Sequence, residues 1–150
     1  MLELVYENHT GYAELREEYF RNIFDVLLEH FKMSDKQVEL GLQVIEADAM
    51  RELNNQYRNK NSPTDVLSFP LDESNLGKYG IIALGDIFLC PSYIKQKADE
   101  LGIEFMEEVT RDTIHGFLHL SGYDHEVSDK SEKEMLELQE NILKVAINNK

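Results

Sequence analysis

Gln37-Val38-Glu39-Leu40-Gly41-Leu42-Gln43-Val44-Ile45-Glu46 runs straight into Ala47-Asp48-Ala49-Met50-Arg51-Glu52-Leu53-Asn54-Asn55-Gln56-Tyr57, and the apolar period changes at the join. Val38, Leu40, Leu42 and Val44 alternate strictly, which predicts a half-buried strand over Gln37–Glu46. Met50, Leu53 and Tyr57 then recur at helical spacing over Ala47–Tyr57, with Asp48 near the start, where a helix favours negative charge. A strand that feeds directly into a helix is half of a crossover, and parallel strands need crossovers. The stretch therefore predicts a sheet with some parallel pairing.

The same two periods extend outward. Leu2, Leu4 and Tyr6 alternate with Glu3, Val5 and Glu7 as a short strand. Gly11–Lys32 reads as a helix, because Leu15, Tyr19, Ile23, Leu27 and Phe31 recur every four residues, and Phe20, Phe24 and Leu28 widen the stripe. Downstream, Arg58–Thr64 is a polar loop, Val66–Phe69 a short strand stopped by Pro70, and Leu71–Gly80 a loop. Ile81–Cys90 is an apolar strand interrupted by Gly85-Asp86. Pro91 suits the first turn of a helix and Gly102 its end. Residues 104–121 form another helix, with Met106, Val109, Thr113 and Phe117 on one face. Asp129–Ile147 is the last, with Met135, Leu138, Ile142 and Val145 facing in. The expectation is one α+β domain over residues 1–150, a mixed sheet of about four strands packed with about five helices.

The chain has 150 residues, 42% hydrophobic, which suffices for a core and argues against disorder. Fifteen Lys and Arg stand against 29 Asp and Glu, a net charge of −14. A sequence-blind nucleic-acid binder would be basic. An acidic chain that handles nucleic acid needs a local positive site, either a basic patch or a metal ion. Cys90 is the single cysteine, so an internal disulfide, a multi-cysteine zinc site and a CxxC redox motif are excluded. The apolar runs fall far short of the roughly 20 residues that span a bilayer. The N-terminus carries neither a basic n-region nor an apolar h-region. A soluble, cytoplasmic protein is expected.

Three of the five histidines lie in His115-Gly116-Phe117-Leu118-His119-Leu120-Ser121-Gly122-Tyr123-Asp124-His125. His115 and His119 are i and i+4, about 6 Å apart along one helix face, where two imidazoles can share one metal ion. His125 in a continuing helix would lie about 15 Å from His115 and off that face. Gly122 can end the helix and let His125 turn back. Three imidazoles leave one tetrahedral position open for water, the pattern of a catalytic rather than a structural zinc site. Asp112, Asp124 and Glu126 are candidates to orient the rings, although surface placement is the default for each. His9 and His30 have no partners nearby in sequence and are assigned to the surface or a satisfied core.

The ligand spacing equals that of the metzincin proteases, H-E-x-x-H-x-x-G-x-x-H, but their general-base glutamate is Gly116 here. The frame is shared and the protease chemistry does not carry over.

The same residues resemble the H-G-x-L-H-L-x-G-Y-D-H motif of the YbeY family of bacterial rRNA-maturation endoribonucleases. Leu53–Pro70 is similar to that family's L-N-x-x-Y-R-x-K-x-x-P-T-D-V-L-S-F-P, and Leu84-Gly85-Asp86-Ile87 to its L-G-D-I element. The motifs cover about residues 45–125. Asn61 stands where many members carry Asp. The resemblance implies a metal-dependent endoribonuclease that prefers single strands and acts in 16S rRNA 3′-end maturation and ribosome quality control. It implies His115, His119 and His125 as ligands of one Zn2+ completed by water, and Arg58 as the residue that meets the RNA backbone.

Arg58 and Lys60, with Arg51 one or two turns earlier, form a basic patch in an acidic chain. An arginine can grip a phosphate bidentately. Asp86 is a further candidate, either orienting a ligand, meeting a partner or marking a strand kink. The expected partners are rRNA and the small ribosomal subunit or its proteins, with no membrane and no DNA. Two alternatives stand beside this: a non-catalytic ribosome-assembly factor with a structural zinc, and a metalloprotease-like hydrolase with another base. The nucleophile, zinc-bound hydroxide or the RNA 2′-OH, is left open, as are the metal in vivo and the oligomeric state.

Overall fold

In a computed structural model of the chain, residues 1–71, 80–122 and 129–148 are described, residues 129–131 by their backbone alone. The elements run β1 (Leu2–Asn8), α1 (Glu17–His30), β2 (Gln37–Val44), α2 (Ala47–Arg58), β3 (Val66–Pro70), β4 (Ile81–Leu89), α3 (Pro91–Leu101), α4 (Phe105–Leu120) and α5 (Asp129–Asn148). The sheet order is β1-β2-β4-β3. β1 pairs parallel with β2, and β2 parallel with β4, while β3 returns antiparallel along β4. The predicted mixed α+β sheet is present, and its parallel pairs are joined through α1 and α2 as crossovers require.

Strand alternation decides which face carries the core. Leu4, Leu40, Leu42, Val44, Ile87 and Leu89 are buried, and they pack in one cluster with Phe24, Leu27, Phe117 and Leu118 of α1 and α4 and Met135 and Ile142 of α5. The opposite face is covered locally by α2, where Met50 meets Ile45, Leu67 and Cys90. Fully burying a side chain of this size stabilises the fold by roughly 1.5–3 kcal/mol.

The kink expected at Gly85-Asp86 is a change of register. Glu39 faces Ala83 while Leu40 faces Gly85, so Leu84 is the extra residue. Gly85 has φ +129°, and a Cβ there would stand 2.2 Å from the Phe69 carbonyl oxygen. Across the ladder, a Cβ on Gly41 would stand 2.0 Å from Asp86 Oδ1, so Asp86 lies over Gly41.

Two expectations need correction. The first helix begins at Glu17 rather than Gly11. Asn8 and Thr10 organise the preceding segment into local turns: Asn8 Oδ1 accepts from the Thr10 N–H at 2.9 Å, and Asn8 Nδ2 donates to the Tyr12 carbonyl at 3.1 Å. Short polar side chains offer the backbone such alternatives to a helix. Leu15 is still buried, from a turn. In α5, Val145 is 49% exposed, and Leu143 and Ala146 are buried in its place. The inward stripe runs Met135, Gln139, Ile142, Leu143, Ala146, and it contains a buried amide.

Candidate active site

α4 is the buried spine of the site. Val109, Thr113, Ile114, Phe117 and Leu118 are all fully enclosed. Gly116 lets the helix approach the sheet: a Cβ there would stand 3.1–3.2 Å from side-chain atoms of Ile87, Ser68 and Val66. Ser68 Oγ donates to the Gly116 carbonyl at 3.1 Å and fixes this contact. Position 116 therefore faces strands β3 and β4. A glutamate there would crowd those side chains, so position 116 is poorly placed to carry a protease base. α4 stops where the histidine spacing requires: Ser121 is the cap residue and Gly122 has φ +97°.

His115 and His119 bring their Nε2 atoms to 3.0 Å, with ring centroids 4.6 Å apart. His115 Nδ1 lies 2.7 Å from Gln139 Oε1. The Gln139 amide nitrogen donates to Glu140 Oε2 at 3.2 Å, and Glu140 is gripped by Arg111 at 2.9 and 3.1 Å. With its nitrogen committed to a carboxylate, Gln139 must present its oxygen to the ring. Nδ1 of His115 therefore carries the proton, and the lone pair of Nε2 faces His119. Two imidazole nitrogens directed at one spot, one with its tautomer fixed from behind, fit a small divalent cation. Nitrogens about 2.0–2.1 Å from a tetrahedral zinc ion stand roughly 3.4 Å apart, close to the spacing here. Among the described residues this pair is the available ligand set, and no group of three is assembled. His125 lies outside the described residues, as do Asp124 and Glu126.

Behind the histidines lies a second charged network. Lys97 Nζ binds Glu108 at 2.9 Å, Asp112 at 3.0 Å and Asp65. Glu108 also pairs with Arg111. Burial, then the Asp65 charge, push the Asp112 carboxyl up to about 8 against the pull of Lys97. Burial would raise Asp65 too, but its bonds to Lys97 and to the Asp112 carboxyl hold it below the usual range. The pair thus shares its load, with Asp65 ionised and Asp112 protonated at neutral pH.

This has a pH signature. A carboxyl whose folded pKa lies above its unfolded value of 3.8 stabilises the fold most at low pH. That contribution falls as pH rises from about 4 toward about 8. The expected result is that Asp112→Asn flattens the fall in melting temperature between pH 5 and pH 9. The difference from wild type is at most about 1.4 kcal/mol per pH unit. Parallel melting curves for the two proteins would refute it.

These groups line one cleft of about 560 Å³, among them Arg58, Asp65, Ser68, Lys97, His115, His119 and Gln139. Arg58 is the last residue of α2. Asn59 caps that helix in the left-handed conformation, and Asn54 holds the following loop: its carbonyl accepts from the Lys60 N–H at 3.3 Å, and its Nδ2 donates to the Ser62 carbonyl at 2.8 Å.

The structure thus gathers Arg58, His115 and His119. Asp86 is not among the cleft residues. It neighbours the buried Ile87 in β4 and so lies on the opposite sheet face, over Gly41. Asp112 is buried rather than on the surface, and it binds Lys97, while Gln139 meets the His115 ring. Arg51 pairs with Asp48 at 3.6 Å. Lys60 is exposed and outside the cleft lining. His9 pairs with Glu7, and His30 lies edge-on to Phe31; both are exposed. Sequence reasoning missed Gln139, Lys97 and Asp65. The one signal for Gln139 was a polar residue inside an apolar helical stripe. No helix among the described residues is long and apolar enough to cross a membrane.

Comparison with known proteins agrees with this architecture. The family model described as "Endoribonuclease YbeY" matches residues 5–146. An endoribonuclease YbeY of Persephonella marina is 37% identical over 142 residues, covering 95% of this chain and 91% of the relative. One from Staphylococcus carnosus is 38% identical over 149 residues, covering 95% of each. One from Borreliella burgdorferi is 43% identical over 118 residues, covering 75% of this chain and 76% of the relative. The solution structure of a Thermotoga maritima protein superposes with a TM-score of 0.67 at 32% identity, covering 99% of this chain and 91% of that one. Matched over nearly its whole length in sequence and in fold, the chain belongs to the YbeY family of metal-dependent endoribonucleases.

Proposed function

We propose that this endoribonuclease cuts single-stranded segments of ribosomal RNA in 16S rRNA 3′-end maturation and ribosome quality control. One zinc ion would be held by His115, His119 and His125, with water in the fourth position. The observation that carries this reading is the converging imidazole pair, tautomer-locked by Gln139, in the cleft that Arg58 shares. When bound, such an ion supplies a Lewis acid for a phosphate oxygen and acidifies its water.

The chain's own residues do the rest. Gln139 holds His115 with its lone pair forward. Arg58, at the open end of α2, grips a phosphate oxygen of the scissile or neighbouring nucleotide and neutralises charge as it develops. The acidic surface repels RNA in bulk, so RNA is admitted only where Arg58 and the metal site offset that charge. Basic proteins of the small ribosomal subunit are complementary to such a surface and are the proposed partners. The nucleophile can be identified directly: a 2′,3′-cyclic phosphate end marks attack by the RNA 2′-OH, and cleavage at a 2′-deoxy position marks water.

Arg58→Ala tests the clamp. A charge-assisted hydrogen bond contributes about 1.5–3 kcal/mol, so kcat/KM on single-stranded RNA is expected to fall about 10- to 150-fold with unchanged zinc content. Unchanged cleavage would dispose of the clamp.

A further inference from the structure

Tyr57 immediately precedes Arg58 and is 59% exposed, although it is a large aromatic side chain. It is not loose. Its ring lies 4.9 Å from that of Phe69 at 63°, and the Phe69 ring lies 5.6 Å from that of Phe88 at 84°. Phe69 belongs to β3 and Phe88 to β4, which are paired strands, and α2 is anchored beneath by the buried Met50 and Asn54. The exposed ring is therefore the outermost of three edge-on aromatics fixed to the sheet. A ring with its orientation set in advance loses little freedom when something stacks on it.

The charges of the cleft make such a surface necessary. Asp65 and Glu108 already offset the charge of Lys97, and the whole chain carries −14. Coulombic attraction to phosphate is local and weak here, so RNA affinity must come largely from contacts that charge does not govern. Stacking of a base on an aromatic face is such a contact, tolerates any base and leaves the salt slope alone. It is open to unpaired bases only, because bases in a duplex have their faces covered by neighbours.

Phe69 and Phe88 lie on the α2 side of the sheet, away from the histidines, so we propose that Tyr57 is a base-stacking platform outside the cleft: where the strand passes beyond the phosphate gripped by Arg58 to the α2 side, an unpaired base lies on its ring and gives RNA binding its single-strand preference. The proposal rests on the reading of Arg58 as the phosphate contact.

The chain contains no tryptophan, so Tyr57→Trp creates a single fluorescent reporter at the platform. The zinc-loaded variant is titrated on ice with a 2′-O-methylated single-stranded oligoribonucleotide, and anisotropy of a dye-labelled copy follows binding independently. Tryptophan emission is expected to be quenched along the same curve by the single strand and to respond little to a blunt-ended, fully paired duplex of the same sequence. Tyr57→Leu is expected to bind the single strand about 5- to 150-fold more weakly with the same salt slope, and Tyr57→Phe to bind like wild type. Arg58→Ala instead lowers the salt slope by about 0.7. Binding by anisotropy with no change in emission, or wild-type affinity for Tyr57→Leu, overturns the platform. A wild type that binds no RNA at any salt overturns the phosphate-contact reading first, and the platform with it.

Discussion

Replacing His119 with alanine is expected to abolish RNA cleavage and to release zinc from the purified protein while the fold survives. α4 is held by Val109, Thr113, Ile114, Phe117 and Leu118, none of which touches solvent, whereas the His119 ring reaches into the cleft. Removing an outer partner of a metal ligand typically costs 10- to 100-fold in affinity or activity, and removing a ligand itself should exceed that. Gln139→Leu then provides the graded control. It keeps both rings but frees His115 to change tautomer, and zinc affinity should fall by about that 10- to 100-fold. Zinc content, far-UV circular dichroism and cleavage of a structured rRNA fragment are measured on all three proteins. A His119→Ala protein that is unfolded as well as inactive would instead make the histidines a staple between α4 and the following chain.

Lys97→Ala should be the most destabilising change among the charged residues. It leaves Asp65, Glu108 and Asp112 facing one another with their shared cation gone, and of these three Arg111 pairs with Glu108 alone. Breaking a buried ion pair by removing one partner costs about 3–5 kcal/mol, which for a domain of this size lowers the melting temperature by roughly 10 °C. The loss should depend on pH in a fixed direction. Asp65 is held below its usual range by Lys97, so in wild type its contribution is present above the unfolded value near 4 and disappears as pH falls through the folded one. In the variant the carboxylates gain by protonation. The two melting temperatures should therefore converge as pH drops from about 4 through the folded value of Asp65. A gap that stays constant would mean that Lys97 contributes packing rather than charge.

Much of this was legible in the sequence, for identifiable reasons. The change of period at Ile45 needs only alternation and a helical stripe, both of which are local. His115, His119 and Gly122 are linked by helix geometry alone. The Arg58 assignment came from resemblance, since composition by itself favours a solvated surface arginine. Gln139 and Lys97 were hidden because their partners are 24 and up to 32 residues away in the chain. No local pattern shows that a lysine in an amphipathic helix will meet two carboxylates of α4 and a third from the residue before β3. The false start of α1 at Gly11 has the opposite origin. Leu15 continues the apolar stripe, yet the Asn8 and Thr10 side chains bind the backbone first. The inward placement of Val145 failed because the stripe of α5 turns to bury an amide that the site uses.

That amide ties cutting power to structural integrity. Gln139 reaches His115 only while α5 stays docked through Met135, Ile142, Leu143 and Ala146. Helices come away from a domain as cooperative units. A copy whose last helix peels off therefore loses the hydrogen-bond partner of the His115 ring in the same event that bares its hydrophobic interior. Partial unfolding at this end of the molecule therefore disturbs the histidine pair before the sheet itself comes apart.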